Sequence, residues 1–202
     1  IIKDLSTKKL IFSKDESQVL RPASLTKVMT SILAIESGKM NSVVTITAEM
    51  KRVEPTIANF KIGEKFYLKD LVHAAMIKSA NDAANAIAIY LGNGNKQKFV
   101  SMMNYKAKKL GMMNTNFTNP CGFDIGNHST TANDLLKLTE YAIKNKTFNS
   151  IVKIEKYAFS AINTKSRYVV HSSNKLLANE PYIVGVKTGY TNQAGACLIA
   201  RA

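Results

Sequence analysis

Long hydrophobic runs are missing from this sequence of 202 residues, and none approaches the roughly 20 residues that a membrane-spanning helix needs. Internal repeats and low-complexity segments are also missing, while hydrophobic residues make up 46% and charged residues 21% of the chain. This composition is typical of a globular protein with a substantial core. The chain begins at Ile1 without a methionine or a signal-type apolar segment, and it stops inside an apolar stretch at Ala202. A chain of this length forms one large domain or two small ones, and its abrupt end suggests missing residues beyond Ala202.

Cysteine is scarce, with Cys121 and Cys197 only. Neither belongs to a CxxC pair, and no histidine stands at metal-ligand spacing from them, so no metal site is predicted. Two cysteines neither require nor exclude an oxidising compartment, and we expect buried free thiols. The three histidines are dispersed and none adjoins a candidate nucleophile. A Ser-His-Asp triad is therefore unsupported, although folding could still bring distant residues together.

Acidic residues are half as numerous as basic ones, 14 against 28, which gives a formal net charge of +14. No acidic residue lies between Asp82 and Asp124. A basic protein attracts nucleic acids, anionic membranes or anionic polymers, but the sequence carries no nucleic-acid-binding motif. A lysine-rich, solvated helix face is the favoured explanation of this charge. The lysines that cluster in the acid-free segment are Lys96, Lys98, Lys106, Lys108 and Lys109.

Apolar periodicity predicts helices in the middle of the chain and strands at both ends, which indicates an α/β domain whose sheet pairs N-terminal strands with C-terminal ones. A helix is expected from about Pro22 until Gly38, and another after the capping residue Thr131. The other predicted helices lie within 69–91, on both sides of "KSAND", and over 96–110; the predicted strands lie at 1–5, 8–13, 43–47, 65–68, 157–162, 167–170, 182–187 and 194–202.

The stretch "RPASLTKVMT" places Ser24 and Lys27 three residues apart at the start of a predicted helix. This spacing puts a hydroxyl and an amine on one helix face, which suits a nucleophile and its base. Ser-x-x-Lys also occurs at Ser6, Ser150 and Ser172, so the pattern alone favours an ordinary helix start.

Two further short motifs could serve the same site. Lys187-Thr188-Gly189 follows the strand-like "YIVG"; its cation and hydroxyl suit a carboxylate, and its glycine leaves room for an extended peptide. Ser79 and Asn81 interrupt an apolar helical region and could point into one pocket. Taken singly, the first is equally a strand running into a turn and the second a capped helix break.

Ser-x-x-Lys, Ser-x-Asn and Lys-Thr-Gly in this order form the motif set of class A β-lactamases and penicillin-binding proteins. Around them the sequence resembles the low-molecular-mass penicillin-binding proteins, the serine D-alanyl-D-alanine carboxypeptidases of peptidase family S11. The resemblance extends over the chain, through "IIKDLSTKKLIFSKDE", "KSANDAANAIA", "NPCGFD", "NHSTTANDLLKL" and "GVKTGYTNQAGACL". It implies an α/β (α+β) fold of the β-lactamase and DD-peptidase type, with an antiparallel sheet from N- and C-terminal strands, flanking helices and a helical subdomain. It also implies a single DD-peptidase catalytic domain over residues 1–202, truncated at its C-terminal end.

The resemblance also implies a catalytic role for three residues. Ser24 would attack the carbonyl between two D-alanines, and Lys27 would take its proton. A lysine acts as a base only when its pKa is lowered, and burial together with the charge of Lys187 would lower it. Ser79 would relay a proton to the leaving amine.

Substrate binding would fall to other residues of the three motifs. By resemblance, Asn81 would hold the substrate amide, while Lys187 and Thr188 would receive the terminal carboxylate, with Gly189 leaving space beside them. The backbone N–H groups of Ser24 and Tyr190 would form an oxyanion hole. No metal or organic cofactor is implied.

The implied substrate is a peptidoglycan stem peptide, and β-lactam antibiotics would acylate the same serine. We therefore expect a location outside the cytoplasmic membrane, after export through a signal peptide, with contact between the basic surface and anionic lipids or wall polymers. Two departures from the family stand out. Cys121 replaces the His or Thr expected in "NP-x-G", and the arginine that usually helps to bind the carboxylate would lie beyond Ala202.

Three alternatives use the same motifs. A D,D-endopeptidase would cut peptidoglycan crosslinks instead of removing the terminal alanine. A class A β-lactamase would need a Glu-x-x-Leu-Asn loop, and none of Glu140, Glu155 and Glu180 begins one. A non-catalytic peptidoglycan-binding module would not need every catalytic side chain that the sequence retains.

Overall fold

The computed structural model describes residues 1–202 as a mixture of helices and short antiparallel strands. A 3-10 helix at Ala23–Thr26 leads directly into the first α-helix. The α-helices are α1 Lys27–Glu36, α2 Leu68–Ile77, α3 Asn81–Leu91, α4 Lys96–Lys109, α5 Ala132–Ala142, α6 Lys146–Ile151 and α7 Leu176–Asn179. The strands are β1 Ile2–Lys3, β2 Leu10–Phe12, β3 Val43–Thr45, β4 Lys65–Tyr67, β5 Lys156–Ser160, β6 Arg167–His171, β7 Val186–Thr191 and β8 Gly195–Ala200.

The predicted helix boundaries agree closely with the observed ones where a capping residue marks them. The Thr131 side chain accepts a hydrogen bond from the Asp134 backbone N–H and so starts α5. Gly38, with a φ of 71°, follows the last residues of α1. The short helices α6 and α7 were not predicted, because helices of one or two turns show too little apolar periodicity.

The strand pairing differs from the prediction. Every ladder is two-stranded and antiparallel, pairing β1 with β2, β3 with β4, β5 with β6 and β7 with β8. No ladder joins the N-terminal strands to the C-terminal ones. The first hairpin has an irregular register, and its side chains Ile2, Leu10, Ile11 and Phe12 are all exposed. A strand pair without a buried face lacks the packing that would fix its register against another hairpin.

Helix α1 lies at the centre of the molecule and contacts α2, α3, α4, α5 and α6. Its inward side chains Val28, Met29 and Ile32 are fully buried. Helix α3 packs beside α1, and its buried positions include the small side chains of Ala83 and Ala84. The central position of α1 fixes its first turn in the interior. None of the helices combines the length and apolar character required to cross a membrane.

The buried residue His128 connects a long loop to the helix start. Its Nδ1 accepts from the Thr118 backbone N–H at 2.9 Å, and its Nε2 lies 2.8 Å from Thr26 Oγ1. An acceptor role for Nδ1 requires the neutral ring, with the proton on Nε2. Burial and, to a smaller extent, the charge of Arg21 lower the pKa of His128 from its ordinary value of 6.5 to about 4.

We expect His128 to make the fold acid-sensitive. The folded state disfavours the protonated ring, so its contribution to stability is complete above pH 6.5 and is lost as the pH falls toward about 4. The loss should approach 3 kcal/mol of unfolding free energy, at roughly 1.4 kcal/mol per pH unit. Urea unfolding between pH 7 and 4 would measure it. His128→Asn keeps an acceptor without a titrating group and should flatten the slope; an unchanged slope would contradict this assignment.

Candidate active site

Ser24 lies in the 3-10 helix that precedes α1, and its side chain is only partly buried. The neighbouring Ala23 has a φ of 47°, and its carbonyl accepts a hydrogen bond from Thr26 Oγ1 at 2.8 Å. This local turn presents the Ser24 hydroxyl at the N-terminus of the helix. The first N–H groups of a helix have no acceptor within the helix, so the N–H groups of this turn can serve an outside partner.

Lys27 is fully buried, and its ammonium group donates three hydrogen bonds of 2.8 Å each. The acceptors are Ser24 Oγ, Asn81 Oδ1 and the backbone carbonyl of Cys121. They come from three segments that are far apart in sequence. The structure therefore brings the first and second motifs into direct contact, and it adds a carbonyl that no sequence motif indicated.

Two buried lysines share this region. Burial lowers the pKa of Lys27 to about 8, while Cys121 and Asp82 oppose that change. Burial also lowers the pKa of Lys187 well below its ordinary value, and the charge of Lys27 lowers it further. Burial is the largest cause of both shifts. The lowered Lys27 pKa has the direction that a base requires, but at pH 7 only about one molecule in ten would carry the neutral amine.

Asn81 is the first residue of α3, and protein groups occupy both ends of its amide. Its Oδ1 accepts from Lys27, and its Nδ2 donates to the Glu54 carbonyl at 2.9 Å. Its backbone N–H also donates to the Thr56 carbonyl at 2.8 Å. These contacts make Asn81 an orienting partner of Lys27; its predicted contact with the substrate amide stays a prediction.

Ser79 lies in the short connection between α2 and α3, with a φ of 66° and a partly buried side chain. The connection consists of Lys78, Ser79 and Ala80, and it places Ser79 two residues before Asn81. No side-chain hydrogen bond links Ser79 to Ser24 or Lys27 in this arrangement. The role of Ser79 in proton relay stays a prediction.

The Lys-Thr-Gly motif lies within β7, whereas the sequence predicted it at the end of a strand. The strand begins at Val186, later than expected, and pairs Gly189 with Cys197 of β8. The structure adds a second reason for Gly189, and its role in leaving room for an extended peptide stays a prediction. A Cβ at this position would lie 2.9 Å from the Ser24 backbone nitrogen and 3.1 Å from Ala23 Cβ. Gly189 therefore allows β7 to pack against the helix that carries the serine.

Lys187 and Thr188 differ in accessibility. Lys187 is fully buried and donates to the Thr188 carbonyl at 2.8 Å. The Thr188 hydroxyl lies 2.7 Å from the hydroxyl of Ser173, a contact that no sequence motif indicated. Tyr190 follows on the same strand with 68% of its side chain exposed. The oxyanion hole expected from the Ser24 and Tyr190 N–H groups stays a prediction.

The three motifs meet around the Ser24 hydroxyl. The Ser24 hydroxyl lies 2.8 Å from the Lys27 amine, which can take its proton. Gly189 of β7 packs against the backbone of Ser24. A partly exposed hydroxyl in hydrogen-bond contact with a buried amine is the arrangement of an activated nucleophile. Both cysteines are free thiols, as expected; Cys121 is buried and Cys197 is partly buried. Neither is an exposed nucleophile that could replace Ser24.

A sequence model of the D-alanyl-D-alanine carboxypeptidase family, peptidase S11, matches residues 1–202. D-alanyl-D-alanine carboxypeptidase DacF of Bacillus subtilis is 33% identical over 211 residues, covering 100% of this chain and 53% of the relative. A D-alanyl-D-alanine endopeptidase of Escherichia coli is 31% identical over 207 residues, covering 100% of this chain and 65% of the relative. This chain thus spans about half the length of the Bacillus protein and about two thirds of the Escherichia protein.

Solved structures give the same result for the fold. The DD-transpeptidase of Streptomyces K15 superposes with a TM-score of 0.91 at 28% identity, covering 96% of this chain and 80% of that chain. D-alanyl-D-alanine carboxypeptidase DacD of Francisella tularensis superposes with a TM-score of 0.89 at 26% identity, covering 98% and 60%. The predicted α+β fold of the DD-peptidase type is therefore confirmed.

We expect Lys27 to control the reaction of Ser24 with an acylating reagent such as benzylpenicillin. Only the neutral amine can take the serine proton, so the acylation rate should rise with pH through a midpoint near 8. Lys27→Arg keeps the charge but cannot deprotonate, and it should lower the rate by roughly 10²-fold or more.

Thermal unfolding would check that the variant remains folded. Lys27→Met serves as a second variant, because it removes the buried charge without enlarging the side chain, and it should show the same loss of acylation. Parent-like acylation of a folded Lys27→Arg protein would mean that another group is the base.

Proposed function

The chain belongs to the D-alanyl-D-alanine carboxypeptidase family, and on that basis we propose that it is a serine D-alanyl-D-alanine carboxypeptidase that removes the terminal D-alanine from peptidoglycan stem pentapeptides. The observation that carries the proposal is the 2.8 Å contact between the Ser24 hydroxyl and the buried Lys27 amine. The sequence similarity extends over all 202 residues, which supports one catalytic domain over this chain.

In the proposed reaction, the neutral amine of Lys27 takes the proton of Ser24 as the hydroxyl oxygen attacks the carbonyl of the penultimate D-alanine. The negative charge that develops on the carbonyl oxygen is held by backbone N–H groups, those of Ser24 and Tyr190. The intermediate collapses, the peptide bond breaks, and D-alanine leaves with a proton delivered through Ser79. Water then hydrolyses the ester on Ser24 and restores the hydroxyl.

Substrate selection in this proposal depends on the terminal carboxylate. The Thr188 hydroxyl, the Lys187 amine and the N-terminus of the 3-10 helix together favour an anionic group beside Ser24. The buried position of Lys187 supports an electrostatic role more than a direct contact, since its amine already donates to the Thr188 carbonyl. A β-lactam carries both a reactive amide and a carboxylate, and it would acylate Ser24 in the same position.

A D,D-endopeptidase is the second candidate, because the Escherichia coli relative that matches the whole chain carries that name. Both reactions attack a D-alanyl carbonyl, and they differ in the leaving group, which is free D-alanine or the side-chain amine of a neighbouring stem peptide. The geometry around Ser24 serves either reaction.

The proposed substrate lies outside the cytoplasmic membrane, so we also propose an extracytoplasmic location, reached through a signal peptide. The net charge of +14 supports contact with anionic wall polymers or lipid headgroups, and salt would screen that contact. Cell fractionation that recovers the protein from the cytoplasm would contradict this location.

We expect benzylpenicillin to add one adduct to the intact protein, and Ser24→Ala to abolish it. Intact-mass spectrometry would measure both. Ser150→Ala is the matched control, because Ser150 belongs to another Ser-x-x-Lys sequence but is exposed at the end of a short helix. The control should keep the adduct. An adduct that survives in Ser24→Ala would move the nucleophile elsewhere.

The two candidate reactions make different products. On a stem pentapeptide, the carboxypeptidase should release free D-alanine and a tetrapeptide. On a crosslinked dimer, the endopeptidase should release two monomers. We expect the pentapeptide to react at least tenfold faster, a margin of about 1.4 kcal/mol in activation free energy. Chromatography of both reactions would measure this ratio, and faster cleavage of the dimer would replace the first candidate by the second.

A further inference from the structure

The loop that follows α4 contains a tight turn around Asn119. The exposed fraction of Asn119 is only 6%. Its Oδ1 accepts from three successive backbone N–H groups, those of Cys121, Gly122 and Phe123, at 3.1, 2.8 and 3.0 Å. Its Nδ2 donates to the Phe123 carbonyl at 2.9 Å and to Thr118 Oγ1 at 3.2 Å. One side chain therefore holds the whole turn.

The turn packs directly against the helix start that carries Ser24. Gly122 has a φ of 97°, and a Cβ there would lie 1.8 Å from the Ala23 carbonyl oxygen, so only glycine allows this approach. The Pro120 carbonyl accepts from Thr30 Oγ1 at 2.8 Å. Between these two contacts, the Cys121 carbonyl accepts from Lys27 Nζ at 2.8 Å.

We propose that Asn119 is a positioning residue for the reaction, acting through the Cys121 carbonyl to hold the Lys27 amine against the Ser24 hydroxyl. This inference rests on the proposed function, because it assigns Asn119 a part in the serine acylation. Asn119 touches neither the nucleophile nor the base. Its effect passes through the backbone of the turn.

The Cys121 carbonyl has a distinct effect among the groups that face Lys27. The Cys121 thiol and the Asp82 carboxylate favour the charged amine, while its charge lowers the pKa of the buried Lys187 on β7. A carbonyl that accepts from an ammonium stabilises its charged form. Losing this acceptor should make the amine easier to deprotonate, and it should also let the amine move away from the serine.

The test compares Asn119→Ala with Asn104→Ala. Asn104 is a matched control, because it also ties this loop through two hydrogen bonds of 2.8 Å, to the Phe117 N–H and carbonyl, but it lies upstream of the turn. The readout is the rate constant for acylation by benzylpenicillin against pH, with thermal unfolding measured in parallel.

In Asn119→Ala we expect the plateau rate at high pH to fall by roughly tenfold or more, since a misplacement of about 1 Å can cost about 10²-fold in rate. The midpoint of the pH profile should fall by about half a pH unit or more, since one acceptor of the charged amine is lost. Asn104→Ala should lose thermal stability while keeping the parent midpoint and plateau.

Asn119→Asp keeps the inference testable if the alanine variant does not fold. The carboxylate still accepts from the three N–H groups, so the turn should persist and the plateau should stay within about threefold of the parent. The added negative charge near Lys27 should raise the midpoint instead of lowering it. If both variants fold, opposite shifts of the midpoint in Asn119→Ala and Asn119→Asp would support the inference. If only Asn119→Asp folds, a raised midpoint in that variant would support it.

Two failures can be told apart. If the parent protein is not acylated by benzylpenicillin, the proposed function fails and this inference fails with it. If the parent is acylated but the Asn119 variants keep its midpoint, or match Asn104→Ala in rate, only the inference fails.

Discussion

The structure depends most on how it accommodates the buried ammonium group of Lys27. Removing a charge from water costs several kcal/mol unless hydrogen bonds replace its hydration. Three acceptors do so, at Ser24, Asn81 and Cys121. They belong to the turn before α1, the start of α3 and the loop after α4, so the fold must bring these segments together around one nitrogen atom. The central position of α1 and the alanine-rich packing of α3 make that convergence possible.

The same site lacks a carboxylate partner for either buried lysine. Asp82 is a buried carboxylate whose charge raises the pKa of Lys27. It accepts hydrogen bonds from the backbone N–H groups of Ala58, Asn59 and Ala83 instead of from a lysine. It thereby fixes the loop before β4 against the start of α3, and its charge is largely committed to those donors. A salt bridge would hold the Lys27 proton firmly. Neutral acceptors stabilise the ammonium less, so the amine remains available as a base.

The sequence predicted the parts of the molecule that local patterns determine. The helices with long apolar stripes and clear caps, such as those ending at Gly38 and beginning after Thr131, were placed to within a few residues. The motif residues were also identified from the sequence, and Ser24, Lys27 and Asn81 meet in the fold. Strand pairing was not predictable in the same way, because it depends on contacts between distant segments. The exposed, irregular hairpin of β1 and β2 carries no buried face that would reveal its partner.

Backbone groups account for the rest of what the sequence did not reveal, and position 121 illustrates why. The site uses the carbonyl of this residue, which any amino acid supplies, and Asn119 and Gly122 give the carbonyl its direction. The side chain points elsewhere: the Cys121 thiol donates to the Asn81 carbonyl at 3.4 Å, and burial raises its pKa to about 11. A cysteine where the family pattern has histidine or threonine is therefore compatible with the site, because the contact that matters to Lys27 does not depend on the side chain at this position.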